Sequence, residues 1–560
     1  MNTVGAASCS RLRTRALATL VVIAVTAVMT GAMATMAAGQ GKVGPTVKAA
    51  GVGTKEALES PNCDESDGKL AYPYQQRAPC VRPFKQGENN GGATAQGVTK
   101  DAVKVVIVTT SKETQETNWT QPGVVCPPNR ATNACSYTDQ TFRDWQTVMD
   151  RSFEHWGREI DFTFFTQSGT DEASQRADAV TVSAMKPFAV IGGLAIFATA
   201  VAANKIIVIG PGTNTDARSQ PGYRWVNGAD ADAAAFNGGE WLGKQIVGET
   251  AKWAGDTSFQ NKKRVLGAIY PDRNLDFSLF EKNLKKYGGK DGKLATSVQY
   301  TVSPDAAQNL PAMQQNAPTL VAKLKDAGVT SVVLFVASNL MAPVLQAATN
   351  LDFKPEWIFI GQFLDLEVLV RTFDTEQWSH AFGIGTLPLP VAGINDPQVA
   401  WFDWYWGKNQ GSYAAGSVGQ IYTLNAGIHL AGPKLSVETF QQGLFAMPAY
   451  GGAASDARQS FMFGYGRTSG LPYDEYTNVG LDFAIGWWDP TATGISKITF
   501  TPGTGRYFYP NDAKRFHAGQ WEKGEPRLFD KSGAIAEFAT LPPNDVAPTY
   551  PCRGCPSATS

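Results

Sequence analysis

From residue 103 onward, short runs of β-branched and apolar residues alternate with longer stretches whose apolar positions recur at helical spacing. A mainly parallel sheet joined by crossover helices needs this alternation. The pattern predicts strands at 103–109, 160–165, 188–191 and 206–209, with helices at 142–156, 172–185 and 197–204 between them. A helix over 231–253 then leads to a second series. Its strands are expected at 264–269, 296–300, 331–336, 357–360 and 382–385, with helices at 279–286, 320–327 and 341–349. Two α/β lobes follow, residues 101–255 forming mainly the first and 256–395 mainly the second. Helical stretches at 398–408, 419–431 and 437–444 come after the second series is complete. Residues 396–545 are therefore expected to cross between the lobes again and complete them, which makes a hinge of several strands.

The pattern differs at both ends. Arg11, Arg13 and Arg15 precede an apolar run over 16–28, and Ala32-Met33-Ala34 fits a small-residue cleavage site. Residues 1–38 read as a signal peptide, with an uncleaved anchor as the alternative. Cys9 lies ahead of the apolar run, so it is not the acylated cysteine of a lipoprotein. The expected location is outside the cell or in its envelope. Residues 39–100, rich in Gly, Pro, Lys and Gln without sustained period, read as a linker with a small cystine-closed segment, and 546–560 as a tail.

That compartment changes the meaning of the cysteines. Apart from Cys9 the chain has Cys63, Cys80, Cys126, Cys135, Cys552 and Cys555, an even set that reads as disulfides outside the cytoplasm. Neighbour pairing closes short loops, but other connectivities stay open. Cys552-Arg553-Gly554-Cys555 sits beside Pro551 and Pro556, without the helix start that activates a redox pair or two further zinc ligands. With 49 basic and 50 acidic residues the net charge is -1, which provides no field for nucleic acid, and no nucleic-acid partner is expected.

Several motifs come close to known chemistry and fall short. Gly210-Pro211-Gly212-Thr213-Asn214-Thr215 starts like a dinucleotide fingerprint but lacks the third glycine, and no helix is expected to open there directly. Gly238-Gly239-Glu240-Trp241-Leu242-Gly243-Lys244 outlines a phosphate loop, yet Gln245 replaces the hydroxyl that binds magnesium. His155, His380, His429 and His517 show no metal-ligand spacing, so neither metal nor cofactor is expected. There is no Gly-x-Ser-x-Gly elbow, and Asp474 with Glu475 reads as a solvated loop pair. Trp401, Phe402, Trp404, Tyr405 and Trp406 crowd one helix and read as core or hinge packing, or else as a ligand wall. Asn118-Trp119-Thr120 matches a glycosylation acceptor in form.

The stretch from Gly97 to Val105 resembles the start of the mature lobe in the branched-chain amino-acid-type substrate-binding proteins of ABC importers. Residues 188–193, 206–212, 265–272, 332–338 with 343–348, and 357–362 continue the likeness in the same order. The resemblance implies two Rossmann-like lobes with the ligand cleft between them. It also implies a monomer that delivers a small molecule to an ABC permease in the membrane, without catalysis. A ligand-sensing receptor module of the same fold is the alternative, and a secreted hydrolase a more remote one. Strand ends select the cleft loops: Thr110 and Ser111; Gly193, Leu194 and Ala195; Gly212, Thr213 and Asn214; Leu275 and Asp276 after Asn274; Ser338 and Asn339 before Leu340; Phe363 after Gln362. Family members that hold free amino acids offer a hydroxyl and an acid where this chain has Leu194-Ala195 and Gln362-Phe363. An apolar ligand is therefore expected, with Asp276 and Asp365 the candidates should a cation be bound.

Overall fold

The computed structural model describes residues 45–72, 76–109, 137–228, 230–303, 305–390, 401–402, 405, 418–449, 464–467, 470–478, 480–497 and 501–539. All belong to one compact unit that begins at Pro45. The leader, Cys9, Cys126, Cys135, Cys552, Cys555, Asn118, Trp404 and Trp406 lie outside the described residues.

The strands are β1 (Cys63–Asp64), β2 (Lys69–Leu70), β3 (Ala102–Thr109), β4 (Glu159–Thr166), β5 (Ala189–Gly192), β6 (Ile207–Gly210) and β7 (Arg224–Val226). A second series comprises β8 (Leu266–Pro271), β9 (Thr296–Tyr300), β10 (Ser331–Leu334), β11 (Glu356–Ile360) and β12 (Ala381–Gly385). β13 (Phe483–Ile495), β14 (Pro502–Pro510), β15 (Arg515–Phe516) and β16 (Ala534–Ile535) follow. The first sheet runs β4-β3-β5-β6-β7 and is parallel throughout. The second has a parallel core of β9-β8-β10-β11-β12. Antiparallel β13 and β14 extend it beyond β12, with β15 on β13 and β16 on β14. The two parallel cores thus repeat one strand order: second, first, third, fourth, fifth.

Position in the sheet explains each strand's composition. β10, β11 and β12 are buried at every residue, as strands covered by helices on both faces must be. Edge strand β4 has no buried residue. Helices cover the first sheet from Tyr137–Ser152, Glu172–Ala184 and Ala195–Ala203. The later Val418–Ala431 and Val437–Phe445 join the same core.

Three sequence expectations are corrected. The helix at Ala231–Trp241 continues only through a π-helical turn, Leu242–Ile246, because Val247 turns extended and Gly248 takes a φ of 94°. That helical stretch packs in the second lobe, where Trp241, Leu242 and Ile246 meet Leu266, Phe280 and Ile358. The linker expected before the lobes is instead part of the first lobe's core from residue 45 onward, through Ala50, Leu70, Tyr72, Ala78, Val81 and Val98. Tyr72 stacks on Trp401 at 4.1 Å, and Trp401 meets Trp145 edge-on at 5.5 Å, so these two rings of the aromatic helix pack in the core. The Cys63–Cys80 disulfide closes the segment. Among the described residues no helix is long and apolar enough to cross a membrane.

The chain passes between the lobes three times. It leaves the first core at Val226 and enters the second at Ala234. It returns between Leu389 and Trp401, and it leaves the first core again at Tyr476 to enter the second at Phe483. The first and third crossings touch: Val226 pairs in parallel with Thr477, and the Val226 amide donates to the Tyr476 carbonyl at 2.8 Å.

Candidate functional site

Open parallel α/β sheets leave a crevice beyond the carboxyl ends of their strands, where the strand order reverses. Here the reversals fall between β3 and β5 in the first sheet and between β8 and β10 in the second. The loop after β3, with Thr110 and Ser111, lies outside the described residues. After β5, Gly192 and Gly193 take φ values of 88° and 82°. A Cβ at Gly192 would approach the Val108 carbonyl oxygen to 2.5 Å, so only glycine lets β5 end this close to β3. Leu194, half-buried, precedes the helix Ala195–Ala203 and donates its amide to Gln167 Oε1 at 3.1 Å. Ala195 is exposed beside it.

After β6 and half-buried Gly212, a helix does open directly, against expectation: Thr213 caps Asn214–Ser219 in a capping box with Asp216. The Thr-x-x-Asp spacing satisfies the first free amides and was the overlooked signal. Asn214 is fully buried and serves the scaffold, its Oδ1 accepting from the Tyr476 amide at 3.0 Å. It therefore ties the first lobe to the third crossing.

In the second lobe, Leu275 is half-buried. Asp276 caps Phe277–Gly288 and accepts from the Ser278 amide at 3.1 Å and the Ser278 hydroxyl at 2.6 Å. Ser338 is buried at the start of a 3-10 turn, Ser338–Leu340, in which Asn339 is exposed. Beyond β11, Gly361, Gln362 and Phe363 are three successive left-handed residues with φ of 63°, 61° and 57°. They hold the Phe363 side chain 40% exposed, where every other Phe, Tyr and Trp ring whose burial is described is at least half-buried. Asp365 lies away from this surface. It is 1% exposed and accepts the Leu387 amide at 3.1 Å, and burial pushes its carboxyl up from the usual range.

One residue absent from the sequence reading connects these loops. Asp232, buried at the start of the second lobe's first helix, accepts from the Thr215 hydroxyl and from Arg218 Nη2 at 2.7 Å. It also accepts from the Asp276 amide at 2.7 Å. One strand-end segment of each sheet, after β6 and after β8, thus meets on a single carboxylate. Glu475 is the second correction at this place: the sequence reads it as a solvated charge, and it is completely buried. The pairing of its segment with the first crossing encloses it, and no local pattern signals a contact so distant in sequence.

Among the described residues no group of three or more His, Cys, Asp or Glu side chains could hold a metal ion. A small depression lined by Lys69, Gln76, Arg77, Met447 and Tyr465 lies apart, against the disulfide-closed segment and none of the strand-end loops.

No family model matches the chain, and neither does any curated protein. Among solved structures it is similar to a solute-binding protein of an ABC transporter from Rhodopseudomonas palustris BisB5 in complex with 3,4-dihydroxybenzoic acid. The two are 13% identical, covering 72% of this chain and 97% of the other, with a TM-score of 0.41. It is also similar to a fatty acid ABC transporter substrate-binding protein from Thermomonospora curvata, at 13% identity over 76% of this chain and 93% of that one, TM-score 0.39. A third is an ABC transporter substrate-binding protein from Desulfitobacterium hafniense in complex with Leu, 11% identical over 69% and 97%, TM-score 0.41. Other solved structures to which it is similar include a putative branched-chain amino acid ABC transporter from Rhodospirillum rubrum and a periplasmic binding protein type 1 from Bordetella pertussis, so that ABC transporter substrate-binding proteins of this kind recur among them.

Proposed function

We propose that this protein is an extracytoplasmic solute-binding protein, which closes two lobes on a small molecule and delivers it to an ABC importer, with no catalytic step. The observation that carries this reading is the convergence on Asp232. A segment after β6 and the loop after β8, from two parallel sheet cores of the same strand order, meet there beside a hinge of three crossings. Such a crevice is where α/β sheets bind ligands, and hinged lobes close around them. The leader read from the sequence suits a protein working outside the cytoplasm.

The ligand in this reading is substantially apolar. Leu194, Ala195, Leu275 and Phe363 offer apolar surface, while Asn339 supplies neutral hydrogen bonds and Thr213 is spent on its helix cap. The two carboxylates first considered for an ammonium are already engaged, Asp276 by its helix start and Asp365 by the second lobe's interior. A zwitterion entering here gains no charge-assisted partner from either.

Native mass spectrometry of gently purified protein, followed by a thermal-shift screen, tests the reading. Aromatic or other apolar acids should raise the melting temperature, by about 2.7 kcal/mol of stabilisation at a hundredfold excess over Kd. Phe363→Ala should shrink that shift without lowering the melting temperature of the free protein. Strong stabilisation by leucine with none by apolar acids would overturn the ligand assignment, and turnover of a screened compound would overturn the non-catalytic reading.

A further inference from the structure

The first and third crossings each bury one carboxyl group where they touch. Asp230 is 3% exposed and Glu475 fully buried, and the two carboxyls lie close enough for each to bear on the other's titration. Asp230 Oδ1 accepts the Asp232 amide at 2.9 Å and so caps the second lobe's first helix. Among the described residues, none donates an N–H or O–H to Asp230 Oδ2 or to either oxygen of Glu475. The charged and titratable groups facing the pair are Arg218, Asp232 and Tyr473. The guanidinium of Arg218 is committed to Asp232 at 2.7 Å and lies 3.9 Å over the Tyr473 ring. Three buried carboxyls therefore share one cation, which Asp232 already holds.

Two adjacent carboxyls without a donor between them cannot both be ionised in a buried site, but one proton shared between them supplies the missing donor. We propose that Asp230 and Glu475 form a proton-sharing latch between the first and third crossings, and that loss of the shared proton as pH rises loosens the hinge. The latch is clamped on both sides by bonds that its opening would strain. Asn478 donates its amide to the Val226 carbonyl at 3.3 Å, and the Thr477 hydroxyl donates to the Gly228 carbonyl at 3.0 Å.

The direction of the effect follows from the proton balance. Burial, reinforced by the neighbouring carboxylates, pushes Asp230 up to about 6 and Glu475 well above its ordinary range. The folded protein thus keeps a proton that the unfolded chain releases. The stability this contributes is complete below the unfolded carboxylate values, near about 4, and declines as pH rises through the folded ones. The latch concerns the hinge on which the solute-binding reading relies, but its tests contain no ligand, so a failed ligand screen and a failed titration are distinguishable.

The full chain, Asp230→Asn and Glu475→Gln are compared by thermal unfolding between about pH 5 and about pH 8. Asparagine keeps the helix cap, so Asp230→Asn is expected to fold. Across this range the wild type should lose melting temperature relative to each variant, a comparison in which groups common to all three proteins cancel. Amide protection at Val226 and Asn478, corrected for intrinsic exchange, should fall with rising pH in the wild type alone. At neutral pH, the infrared band of protonated carboxyl should be weaker in Glu475→Gln than in the wild type. A pH-dependent loss equal in all three proteins overturns the proposal, and so does a wild-type carboxyl band that Glu475→Gln leaves unchanged.

Discussion

His429 illustrates how a single side chain can join parts of the chain that are remote in sequence. Its Nδ1 accepts the Glu154 amide at 2.9 Å and its Nε2 donates to the Pro79 carbonyl at 3.0 Å. This pair of bonds selects one neutral tautomer. A second proton would abolish the acceptor, and burial pushes the imidazole down to about 3. The sign here is opposite to that of the latch. A base with a lowered folded value contributes stability that is present above about 6.5 and is lost as pH falls towards about 3. Between pH 7 and pH 5 the loss should reach about 2 kcal/mol in urea unfolding, and His429→Gln should remove that increment.

The short helix Asn214–Ser219 performs two separable tasks. Thr213 stabilises its start, so Thr213→Ala should cost about 1 kcal/mol, read from the urea midpoint. Asn214 reaches outward to the third crossing, so Asn214→Ala should accelerate hydrogen exchange at Tyr476, which Thr213→Ala should leave protected. Equal exchange at Tyr476 in both variants would show that the helix holds the crossing as a unit. Elements of this kind also mark where sequence reading ends. The buried strands were legible because parallel strands covered on both faces are unbroken apolar runs: β11 and β12 each start one residue early and end where expected, and the edge strand β9, whose residues alternate in burial, also has the expected bounds. β7 was not legible, since three residues beginning with Arg224 make no such run. The cleft loops followed from strand ends, which are local. Asp230, Asp232 and Glu475 did not, because their burial depends on crossings that meet only in the folded chain.

Residues 45–100 should act as part of the first lobe. The Cys63–Cys80 bond spans 17 residues, and replacing both cysteines by serine should cost about 3 kcal/mol in guanidinium unfolding. Protection should be lost first around Tyr72, Val98 and the helix Val418–Ala431, with β10 to β12 retaining theirs. Loss spread evenly over both lobes would contradict this division. The three crossings also have a consequence for the order of synthesis. The first core needs Tyr72, Val105, Trp401 and Leu444 together, and the second needs Ile358 and Phe516. A ribosome releases most of the polypeptide before either interior is closed, so folding waits on contacts between early and late segments and is correspondingly slow. A nascent chain stalled before Trp401 exposes two unfinished interiors at once, and its hazard is aggregation rather than a stable half-molecule.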